Sequence, residues 1–88
     1  MLELVHSTLM GLKELPLRKY ALWKLAENRY EIEETVWNRT AMAKNHIGHF
    51  FHLDNALFAY WVLAEIDIPY KQFYIEITGV EPIELEVA

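Results

Sequence analysis

Cysteine is absent from the 88 residues, which removes disulfides, thiolate zinc sites and cysteine nucleophiles together. Serine occurs once, as Ser7, and lacks the flanking glycines of a nucleophile elbow. The three glycines stand alone, so no glycine-rich loop is available to cradle a phosphate. No long hydrophobic run is present either. The apolar stretch Ala56–Ala64 is about half the ~20 residues that a membrane-spanning helix needs. The opening Met1-Leu2-Glu3-Leu4-Val5-His6 lacks the basic start and apolar core of a signal peptide. These absences lead to the expectation of a soluble, cytoplasmic protein without a membrane span.

Positive charge is scarce in one half only. Residues 1–44 carry seven Lys/Arg against six Asp/Glu, whereas residues 45–88 carry Lys71 against seven acids. The total of −5 argues against binding long nucleic acid, whose backbone demands a basic surface. Solubility of a greasy chain is the simplest use for the acidic end.

What the chain has in abundance is apolar mass: 53% hydrophobic and 14% aromatic residues. A domain of this length buries only about 60–65% of the surface its unfolded chain exposes. So much grease in so small a body predicts an apolar surface that docks on something, either a second copy or a protein partner.

The run Ala56-Leu57-Phe58-Ala59-Tyr60-Trp61-Val62-Leu63-Ala64 organises the predicted fold. Alanine and leucine outweigh the single β-branched Val62, which favours helix. With Asp54 as N-cap and Pro69 beyond the end, the spacing predicts a helix near 54–66, apolar all round and therefore buried. Leu2, Val5, Leu9, Leu12 and Leu15 follow helical spacing, and Leu22, Leu25, Ile32 and Val36 continue along one face after Pro16. Alternation over 30–36 offers a strand as the competing reading, but helix is preferred because no turn residues bound the segment. Gly48 is expected to end or bend that second helix. After Pro69 the period changes to two: Phe73, Ile75, Ile77 and then Ile83, Leu85, Val87 predict a hairpin turning at Gly79–Pro82. The expected fold is α+β: one domain over 1–88, mostly helical, with two or three helices around the buried one and a C-terminal β-hairpin.

Two constellations suggest ligands. Tyr20 and Trp23 interleaved with Arg18, Lys19 and Lys24 could stack a base and hold the charge of a small anion such as a nucleotide. His46, His49 and His52, with Asp54 nearby, could hold a divalent transition metal, a third ligand coming from His6 or a carboxylate. No other cofactor is indicated.

Arg39 and His46 are seven residues apart and would share a helix face. That spacing resembles the Arg-x4–6-His signature of HEPN-type ribonucleases, small helical proteins that act as dimers. Thr40 follows the arginine, where the family carries a polar residue, and the chain is short for that fold. The resemblance implies that Arg39 would stabilise phosphate charge and His46 would act as general acid and base. The leading expectation is a non-catalytic binding or regulatory protein, working as a homo-oligomer or on a protein partner. A sequestrant or sensor of a small anion is the second, and an enzyme using the histidines the third.

Overall fold

The structure, a computed structural model, describes residues 2–11 and 15–82. In chain order the elements are β1 (Glu3–Met10), β2 (Leu17–Ala26), β3 (Arg29–Trp37), β4 (Met42–Phe50), α1 (Leu53–Leu63) and α2 (Tyr70–Thr78). The strands form one antiparallel sheet in the order β1-β2-β3-β4. The expected helical domain with a C-terminal hairpin is therefore corrected: strands come first, and the helices follow them.

Each departure has a local cause. β3 alternates Tyr30 and Ile32 against Glu31 and Glu33, the pattern of a strand with one buried side. Its start is set by Asn28, whose φ of 59° is the left-handed conformation that asparagine tolerates better than most residues. The two residues Glu27 and Asn28 thus turn β2 into β3. β2 hides its period of two because both of its faces are apolar: Tyr20 and Leu22 on one side, Leu17, Ala21 and Trp23 on the other. In β4 an extra residue, Ile47, bulges where the pairing shifts between Ile32 and Glu33. Gly48 does not end a helix. It lies in β4 opposite Ile32, and a Cβ there would come within 3.2 Å of the Phe50 ring.

The segment expected as the first strand of the hairpin is α2. Pro69 precedes its first turn, and Gly79, at φ 75°, ends it by donating its N–H to the Ile75 carbonyl. Between these stops Phe73 and Ile77 lie one turn apart, as do Tyr70 and Tyr74. The other expected strand, at Ile83–Val87, lies outside the described residues.

The apolar run does form a helix, α1, but it is not buried all round. Ala56, Leu57 and Tyr60 face inward, whereas Phe58 and Val62 are 52% and 53% exposed. Among the described residues, no helix is long and apolar enough to cross a membrane.

Opposed residues in an antiparallel sheet share a face, so the pairing sorts every strand residue. One face carries His6–Leu22–Ile32–Gly48 and Thr8–Tyr20–Glu34–Asn45 as cross-strand rows. The helices pack on this side. Leu22, Ile32, Leu57 and Tyr60 are its fully buried side chains, closed by Tyr20, Tyr30, Ala56, Phe73 and Tyr74. Tyr60 stacks on Phe73 with ring centroids 6.0 Å apart. Its hydroxyl reaches the sheet, 3.0 Å from His6 Nδ1 and 2.5 Å from Thr8 Oγ1. The hydroxyl can donate to a neutral imidazole while accepting from threonine. Burial pushes the Tyr60 hydroxyl up to about 12, with the Thr8 hydrogen bond opposing, and lowers the His6 imidazole, with the Glu76 charge opposing.

Candidate functional site

The opposite face of the sheet has neither α1 nor α2 packed on it. Four cross-strand rows cover it. From one end they are Leu4–Trp23–Glu31–His49, then Ser7–Ala21–Glu33–His46, then Leu9–Lys19–Thr35–Lys44, and last Leu17–Trp37–Met42. The end rows are apolar and aromatic. The second row is acidic with an imidazole, and the third is basic. Ala21 and Thr35 are buried although no helix covers them, because their short side chains form a floor between taller neighbours. Around the floor, large apolar groups stand in the open: Leu4 is 48% and Met42 56% exposed, and Leu2 and Leu9 are exposed as well.

A hollow of about 330 Å³ opens at the acidic end, lined by Leu2, Trp23, Leu25, Glu31, Glu33, Lys44 and His46. His46 Nδ1 is in direct contact with Glu31 Oε1, the carboxylate being mostly buried and the imidazole mostly exposed. The contact is an ion pair when the imidazole is protonated and a hydrogen bond when it is neutral. Either form holds the Glu31 carboxylate towards β4 and leaves the outer edge of the hollow to Lys44. Glu33, one row further on, projects to the same side.

Strand geometry disperses the residues expected to hold a small anion. Lys19 and Trp23 are on this open face, while Arg18, Tyr20 and Lys24 project to the helix-covered side. There the Tyr20 hydroxyl donates to Glu34 Oε2 at 2.7 Å. Burial, reinforced by that carboxylate, raises the Tyr20 hydroxyl above its ordinary range. Of the histidines, His46 and His49 share the open face, His52 stands at the N-cap of α1, and His6 lies on the covered side against Tyr60 and Phe73. Among the described residues, no group of three His, Cys, Asp or Glu side chains is placed to hold a metal ion. Arg39 falls in the turn between β3 and β4, and His46 lies four residues into β4, roughly 13 Å along the strand at ~3.3 Å per residue. The helix that would have stacked the two on one face is not there, so the geometry implied by the ribonuclease resemblance is corrected.

Glu31, Glu33, Trp37 and Lys44 were not singled out by spacing. Their signal was the alternation of residues 30–36, which brings Glu31 and Glu33 to one side once β3 is a strand. No protein-family model, curated protein or solved structure matches this chain.

Proposed function

We propose that this chain is a binding or regulatory protein without catalysis, and that it acts by docking the open face of its sheet on another folded surface. The single observation that carries the reading is the row of large apolar side chains, Leu4, Leu9 and Met42, standing exposed beside Trp23 and Trp37 on a face that neither helix covers. A monomeric protein rarely leaves a contiguous apolar patch of this kind to water unless something binds it. The mixed rim of Lys19, Lys44, Glu31 and Glu33 fits the anatomy of such interfaces, in which an apolar centre is bordered by charges.

Light scattering after size exclusion, combined with hydrophobic-dye fluorescence, tests the reading. The wild type is expected either to exceed the mass of one chain or to bind dye, and Leu4→Lys with Met42→Lys to lose both properties. A wild-type monomer that binds no dye would overturn it.

The hollow beside Lys44 and His46 supports a second reading, a small anionic ligand stacked on Trp23 with its charge at Lys44. Calorimetry against a panel of nucleotides should then give heat that Lys44→Ala and Trp23→Ala remove. Absence of heat from every nucleotide sinks this alternative.

A further inference from the structure

We infer that the occupant of the open face is a second copy of this chain, packed sheet to sheet about a two-fold axis that runs across the strands. The inference rests on the docking reading above and names its partner.

The four rows are ordered so that the face is complementary to itself. A two-fold axis lying in the interface, between the second and third rows and perpendicular to the strands, exchanges the first row with the fourth and the second with the third. Each strand then lies over its own counterpart, running in the opposite direction. Leu4 and Trp23 meet Leu17, Trp37 and Met42 of the second copy, so apolar ends face apolar ends. The row holding Glu33 meets the row holding Lys19 and Lys44, so acid faces base, and the symmetry repeats both contacts. Packed sheets lie about 10 Å apart, a gap that lysine and glutamate side chains bridge from opposite sides. The hollow lined by Trp23, Glu31 and Glu33 lies opposite the second copy's Trp37.

Area is sufficient. Four strands at ~4.8 Å spacing and about nine residues at ~3.3 Å give a flat footprint of roughly 550 Å² per copy. Two such faces bury more than about 1,000 Å², which is the threshold for a specific interface. A second apolar group, Phe51, Phe58 and Val62 around α1, has no comparable pairing of opposite charges and serves as the control.

Lys19→Glu and Glu33→Lys form the test, followed by analytical ultracentrifugation. The wild type should sediment as a dimer. Each single variant sets like charges against each other twice and should raise the dissociation constant by at least about tenfold. An equimolar mixture of the two variants restores both contacts and should recover a dimer, as should the double variant alone. Within one chain Lys19 and Glu33 are also diagonal neighbours, but mixing cannot repair an intrachain loss, so recovery on mixing belongs to the interface. Thermal melts of each variant confirm that it folds.

A wild-type monomer overturns the dimer. If that monomer binds hydrophobic dye and loses it in Leu4→Lys with Met42→Lys, the docking reading survives with another partner; if it binds none, both fall. A dimer that ignores the charge reversals but dissociates on Phe58→Lys with Val62→Lys also overturns the inference, since its interface is then the helix side.

Discussion

Neighbouring residues of β3 live in opposite surroundings. Ile32 points to the helices and is fully buried, while Glu31 and Glu33 on either side point to the uncovered face. The same division runs through β2, where Leu22 is enclosed and Trp23 is only half-buried. One face of the sheet is a finished core with Tyr60, His6 and Thr8 joined by hydrogen bonds at its centre. The other combines exposed leucines and methionine with charges of both signs. A face that served only to keep the chain soluble would need no large apolar groups. The contrast therefore assigns stability to one side of the sheet and recognition to the other.

The sharpest way to break this contrast is to truncate both sides. Ile32→Ala removes a fully enclosed side chain and should cost about 2–5 kcal/mol in denaturant unfolding. A cost below about 1 kcal/mol would mean that the covered face is not the stabilising one. Tyr60→Phe should cost about 1–3 kcal/mol, because His6 and Thr8 lose their shared partner inside the core. Gly79→Ala has free space around the new methyl, so the strain of φ 75° alone should cost about 1 kcal/mol and show as faster amide exchange at the end of α2.

Acid should weaken the covered face through His6. Burial lowers the folded pKa of this imidazole below 6.5, and Glu76 only partly offsets the effect. The unfolded chain then binds more protons, so the His6 contribution favours folding fully above about pH 6.5 and declines as pH falls through the folded value. His6→Gln should flatten that part of the pH dependence of the denaturation midpoint; an unchanged slope would remove His6 from the account. Smallest of all, Leu4→Lys with Met42→Lys should change unfolding free energy by no more than about 0.5 kcal/mol per site. Their effect should appear in association or dye binding instead. A large loss of stability there would mean that the open face belongs to the core after all.

The apolar run of α1 was legible because alanine and leucine carry their preference locally, and the total apolar content was legible because it is a sum. The alternation in β3 was also visible, but its boundary was not. Asn28 ends the strand before it through a left-handed φ, and an asparagine without a following glycine is a weak turn signal. Residues 70–78 misled in the opposite direction. The spacing of Phe73, Ile75 and Ile77 suits a strand, and the choice of helix came from Pro69, the Gly79 cap and the packing of Phe73 against Tyr60. Arg18 and Lys19 illustrate the limit for the site. On a helix both would flank one pocket, whereas on β2 they project to opposite sides of the sheet.

By itself the chain determined that there is one strongly apolar helix near residue 57, an acidic second half and more hydrophobic surface than so short a polypeptide can readily enclose. Those properties are local or additive. Tertiary structure decided which side of each strand the helices cover, and with it which charges stand together on the uncovered face. Cross-strand partners are distant in sequence: Trp23, Glu31 and His49 share a row only after three strands have aligned. That alignment is set by where α1 and α2 settle, since sliding a strand by one residue would send every side chain on it to the other face.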